Sequence, residues 1–170
     1  MLAIGDSILR AVNFVILVIA LGLTASLSAS TITQNNPQVN FGVFAAAFGL
    51  LTSSFYGVLA YFFEIFAWPI LLSLFDFLNL IFTFAAATAI AAGIRVHSCS
   101  NSEYVDNNNI TQGSSGRCRK AQSSVAFLYF SFFIFLVSGV FSIISITQGG
   151  LFGTSKRSAP RVGIPTTSQV

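Results

Sequence analysis

Hydrophobic and polar positions along this chain sort into long blocks, without the short periods of a soluble helix or strand. Four apolar blocks run approximately over 11–27, 41–63, 70–94 and 123–146. Each is close to the ~20 residues needed to cross a hydrocarbon core. All are too long for strands, and none alternates like the wall of a membrane barrel. Unpaired backbone groups are prohibitive in lipid, so each block is expected to be a helix. The pattern predicts an all-α membrane protein: a bundle of four transmembrane helices within 1–146, followed by a flexible tail over 147–170.

The connections fit that layout. "STITQNNPQVN" is a short, polar, uncharged first loop. The second is only "EIFAWP", in which Glu64 ends one helix, Trp68 suits the membrane interface and Pro69 suits the first turn of the next. So short a turn predicts an antiparallel hairpin. The first block, with Arg10 before it and "SLSAS" at its end, also has the outline of a signal peptide. It is read here as a first transmembrane helix.

Composition sharpens the class. Only 8% of residues are charged and 54% are hydrophobic, with a mean hydropathy of +0.80, whereas soluble domains carry about 25% charged residues. Too few charges remain to coat a globule, so lipid is the expected solvent. The net charge of +3 comes from basic residues at block edges. Nucleic-acid partners are not expected, because Lys and Arg are neither clustered nor interleaved with stacking aromatics.

The third connection, "HSCSNSEYVDNNNITQGSSGRC", sets the orientation. The eight Lys and Arg divide equally: Arg10, Lys156, Arg157 and Arg161 on the terminal side, Arg95, Arg117, Arg119 and Lys120 on the other. The positive-inside rule is therefore silent. Cys99 and Cys118 are the only cysteines, one near each foot of this loop. Paired thiols persist outside the cytosol, and Asn109-Ile110-Thr111 is an N-glycosylation acceptor pattern, used only on lumenal segments. Together they predict an extracellular loop and cytosolic N- and C-termini. A disulfide there would stabilise the fold by about 3 kcal/mol in the chain-entropy account; the alternative is two free surface thiols.

Within the spans, small residues mark close helix approach. Gly42, Ala46, Gly49, Ser53, Gly57 and Ala60 form a stripe on the second helix, and Ser124, Ser131, Ser138, Ser142 and Ser145 form one on the fourth. Such stripes either hold one bundle together or form an oligomer interface. Phenylalanines fill the opposite faces. Asp76 is the one acid well inside a span, with Asn79 on the same face, and Arg10 and Asn13 stand at the same end of the first helix. Three roles are open for Asp76: pairing with Arg10 or Asn13, a lipid-headgroup or partner site, or a proton or ion pathway. A single acid with no broken helix beside it suits transport poorly.

Enzyme signatures are missing: no CxxC dithiol, HExxH or glycine-rich phosphate loop occurs, so neither catalysis nor a cofactor or metal is expected. His97, the single histidine, borders the polar loop and suggests surface packing. In the tail, Ser155 and Ser158 flank Lys156-Arg157 as phosphorylation candidates. Its three basic residues fall short of the 4–8 typical of strong anionic-lipid binding. The ending Ser168-Gln169-Val170 has the form of a PDZ ligand, a match that arises often by chance.

"FAWPILLSLFDFLNLIFTF", "GIRVHSCSNSEYVDNNNITQGSSGRCRKAQSSVAFLYFS" and "VGIPTTSQV" closely resemble the fungal non-classical export protein family. The resemblance covers essentially the whole chain and implies a four-helix, MARVEL-type protein of the plasma membrane. It further implies residence in eisosomes, furrow-like membrane domains, after transit through the endoplasmic reticulum. There such proteins organise the domain, recruit other components and respond to sphingolipid state, influencing kinases that phosphorylate the coat. The implied partners are sphingolipids or anionic lipids, eisosome coat proteins, other plasma-membrane proteins and further copies of the chain. An older implied role is export of proteins lacking a signal sequence. The leading expectation is a non-catalytic scaffold; the alternatives are an export factor and, behind it, a small channel or transporter subunit.

Overall fold

Helix α1 covers Leu2–Ala29 in the computed structural model, which describes residues 2–32, 35–55, 69–95 and 97–149. It begins before the apolar block because its polar first turns still favour a helix. Asp6 and Arg10 are one turn apart and pair at 2.8 Å, the i,i+4 arrangement that supports helices. At the other end the Ser30 and Thr31 hydroxyls donate to the Ser26 and Ser28 carbonyls, both at 2.7 Å. They cover acceptors that a helix end otherwise leaves bare.

Helix α2, Pro37–Gly49, starts at the proline, with Asn36 extended before it. It runs on through a π-helical segment, Leu50–Phe55. There the Thr52 hydroxyl donates to the Phe48 carbonyl at 2.7 Å, a side-chain intrusion of the kind that distorts a helical ladder. The rest of the predicted second span, with Gly57, Ala60, Glu64 and Trp68, lies outside the described residues. So does the tail from 150, with Ser155, Ser158 and the final tripeptide.

Helix α3 spans Pro69–Ile94, the short α4 Ser102–Asn107 and α5 Ser115–Gly149. The start of α5 at Ser115, where hydropathy places it at 123, is a departure of the same kind as the early start of α1. Arg117, Cys118, Arg119 and Lys120 interrupt the apolar run without interrupting the helix. What reads as one polar loop is thus a short helix, a turn and two turns of α5.

Helix α1 packs on α2 and α5, and α3 also packs on α2 and α5, closing a ring. Its core joins Leu17 and Leu27 of α1, Ala45 and Ala46 of α2, Ala86, Ala87 and Ile90 of α3, and Leu128 and Phe135 of α5. Among the described residues, three stretches are long and apolar enough to cross a membrane: Gly5–Ala29, Ile70–Ile94 and Ser115–Ile144. Only 22–28% of these stretches is buried inside the chain, so most of their apolar surface faces outward. Phe77, Phe84, Phe130 and Phe133 are each about half exposed. A surface of that kind requires lipid, not water.

Candidate functional site

Two polar clusters lie at opposite ends of the ring. At one end Asp76, only 1% exposed, accepts two hydrogen bonds from the Arg10 guanidinium, at 2.8 and 3.2 Å. Ser142 of α5 donates to the same carboxylate at 3.1 Å, and Arg10 also holds Asp6 at 2.8 Å. Two carboxylates therefore share one guanidinium, and the cluster ties α1, α3 and α5 together. Withdrawing such ions from water costs several kcal/mol each, which only good geometry and added hydrogen bonds offset. Forked contact and the Ser142 hydroxyl supply both.

The Asp76 partner is Arg10, not Asn13. Asn13 is buried on the same side of α1, and neither its amide nor its carbonyl finds a hydrogen bond among the described residues. Asn79, one turn beyond Asp76, donates its side-chain amide to the Thr52 hydroxyl at 2.7 Å, and its backbone carbonyl takes the Thr83 hydroxyl at 2.6 Å. The π-helical segment thereby gains a specific partner on α3.

Gly42, Ala46, Gly49 and Ser53 are all buried, and the two glycines face neighbours within the chain. A Cβ on Gly49 would stand 3.0 Å from Leu17 Cδ1 and 3.5 Å from Asn79 Oδ1; one on Gly42 would stand 2.9 Å from Ile90 Cδ1. Ser124, Ser131 and Ser138 are buried on α5 in the same way. These members of the two stripes thus lie buried within the ring.

At the opposite end Cys99 and Cys118 form a disulfide, with Cα atoms 5.7 Å apart. It links the segment after α3 to the first turn of α5. Arg95 ends α3 with φ 47°, the left-handed conformation typical just past a helix. The Tyr104 hydroxyl donates to the Ile94 carbonyl, and burial pushes its phenol above the ordinary value, with a smaller opposing pull from Arg95. His97 packs its ring on Tyr104 at 4.7 Å. The Asn108 amide donates to the Gly93 carbonyl at 2.9 Å, while Ile110 fills the space where Gly93 has no side chain.

Arg117 locks this layer to the end of α1. Its guanidinium donates to the carbonyls of Ile110 and Leu27, both at 3.1 Å, and to the carbonyl and hydroxyl of Ser30, at 2.7 and 2.6 Å. The Asn36 amide adds a bond to the Asn109 carbonyl at 2.9 Å. Asn109 is exposed, but its companion Thr111 is fully buried and donates to the Val105 carbonyl at 2.6 Å. Among the described residues, no three His, Cys, Asp or Glu side chains gather as metal ligands.

Three participants escape a sequence reading. Asp6 falls outside the apolar block, although its spacing from Arg10 was a usable signal. Thr52 matters only because the helix widens there. Arg117 reads as a loop cation, and nothing in its neighbours foretells a helix cap.

Residues 2–141 match the family described as a membrane-associating domain, MARVEL. Non-classical export protein 102 of Candida albicans is 75% identical over 170 residues, covering all of both chains. Non-classical export protein 2 of Saccharomyces cerevisiae is 51% identical, again over the whole of both. A Schizosaccharomyces pombe homologue is 32% identical over 80% of this chain and 75% of its own. No solved structure matches. This chain belongs to the non-classical export protein family of MARVEL membrane proteins.

Proposed function

We propose that this MARVEL protein is a non-catalytic scaffold of the fungal plasma membrane, with four crossings and both termini in the cytosol. It organises eisosome-type domains, responds to sphingolipid state and helps localise coat and other membrane proteins. One observation carries the reading. Among the described residues, the buried charges Arg10 and Asp76 are tied up with each other and with Ser142, while the outward faces of α3 and α5 present half-exposed phenylalanines. Such a body has its polar groups turned inward and its contact surface turned to lipid and membrane neighbours. That suits an organiser better than a conduit.

A second reading, export of proteins lacking a signal sequence, is favoured by the relatives' names. Imaging a tagged copy with and without sphingolipid synthesis separates the two. The scaffold predicts stable surface patches that redistribute when synthesis is blocked. Cycling vesicles indifferent to that block would reject it in favour of export.

A further inference from the structure

At the disulfide end, the start of α2, the end of α3 and the α4 layer enclose an open crevice of about 850 Å³. Its frame is fixed by bonds already described: Asn108 on Gly93, Asn36 on Asn109 and Tyr104 on Ile94. What the frame leaves to the crevice is polar and uncommitted. The Arg95 guanidinium is exposed and makes no hydrogen bond or ion pair with a described residue, its backbone N–H alone being bonded. The carboxamides of Asn35, Gln38 and Asn109 line the same space, with the His97 ring beside them.

The floor differs in kind. It is made by Ala89, Ala92 and Gly93, which belong to the apolar stretch Ile70–Ile94. On the same face of α3, one and two turns down, come Ala85 and Phe82. On α2, Gln38 is followed one turn on by Phe41, then Phe44 and Phe48. Phe82 meets those three rings with centroids 6.3, 5.4 and 5.3 Å apart. The floor of this cationic, amide-rich crevice and the aromatic seam thus share one face of α3, the seam lying about two turns below.

We infer that this crevice binds the headgroup of a membrane lipid that is both anionic and hydroxyl-bearing, with a hydrocarbon chain lying along the α2–α3 seam. The Arg95 guanidinium takes the phosphate through charge-assisted bonds. The carboxamides donate to and accept from the hydroxyls. A soluble phosphate would use the upper half alone; the floor of span residues makes the occupant a lipid. The site gives the lipid response of the proposed scaffold a location, and in that respect rests on it.

The test is thermal melting of the full-length chain, purified in mild detergent, with added phosphatidylinositol, phosphatidylserine or phosphatidylcholine. Phosphatidylinositol should raise the melting temperature most, phosphatidylserine less and phosphatidylcholine least. Arg95→Gln should melt like wild type without lipid but require about tenfold more phosphatidylinositol for the same shift, the loss of one charge-assisted contact. Asn109→Ala should weaken the shift in the same sense, and serves if the Arg95 variant is poorly folded. Equal shifts with all three lipids, or an unchanged response in both variants, would overturn the site. Glycerophosphoinositol acting as strongly as the intact lipid would overturn the lipid assignment. The readout is independent of patches in cells: if wild-type patches are indifferent to sphingolipids while the Arg95-dependent shift persists, the scaffold reading falls and this site stands.

Discussion

Arg10 of α1 and Asp76 of α3 are 66 positions apart in the chain and meet through two hydrogen bonds inside an apolar bundle. Neither residue is at ease without the other. Asp76→Asn removes the stronger acceptor from Arg10, and Arg10→Gln leaves Asp6 and Asp76 without a shared cation. Each should cost ~3–5 kcal/mol, the usual penalty for orphaning a buried charge. The exchange Arg10→Asp with Asp76→Arg should recover part of that loss. Melting in mild detergent measures all three; a wild-type transition for Asp76→Asn would remove the structural role.

Gly49 should tolerate almost nothing larger. Leucine there meets the Leu17 side chain at once, and loss of folded protein is expected. Gly42→Ala should cost ~1–3 kcal/mol, typical of overpacking. Gly22 and Gly139 have open space at the Cβ position, so alanine at either should be neutral or slightly stabilising. If Gly42→Ala and Gly22→Ala melt alike, the stripe does not set the packing.

Arg117 carries the joint between the loop layer and α1. Arg117→Met should lower stability by at least ~1.5–3 kcal/mol, the scale of a hydrogen bond to a charged group. Arg117→Lys should rescue little, because an ammonium does not reproduce the guanidinium fork. Protease cleavage within 97–114 should accelerate in both variants. Full rescue by lysine would mean that charge alone matters there.

Thr111, buried on Val105, closes the glycosylation pattern once the layer has folded. Wild-type chain should therefore show little or no glycosidase-sensitive shift. Cys99→Ser, which delays closure of the layer, should show a clear one if that end of the bundle is lumenal. Non-reduced peptide mapping of wild type should recover the Cys99–Cys118 link. A fully glycosylated wild type would show that sugar transfer outruns folding.

The fold was legible wherever hydropathy decides it. Pro69–Ile94 is apolar at both ends and begins at a proline, so its limits coincide with the apolar block. The starts of α1 and α5 were not legible, since Arg10 and Arg117 look like loop residues until their partners on other elements are known. The pairing of Cys99 with Cys118 was readable because no other cysteine exists. The choice of Arg10 over Asn13 for Asp76 was not, because both lie on the same helix within one turn. Only the rotation of α1 against α3 selects between them.

Helix α5 has 35 residues, and at ~1.5 Å per residue it is about 52 Å long, against a hydrocarbon core of ~30 Å. With the apolar block 123–146 seated in lipid, the surplus would stand the disulfide-bearing turns above the apolar zone, where Arg117 and Cys118 fasten the loop layer to that stem. The layer would then ride at a set height above the lipid tails. A thicker bilayer would bring the lipid surface up toward it and a thinner one would let it stand away, so the stem would act as a depth gauge. Mismatch of this kind costs fractions of a kcal/mol per ångström, enough to bias where in an uneven membrane the protein comes to rest.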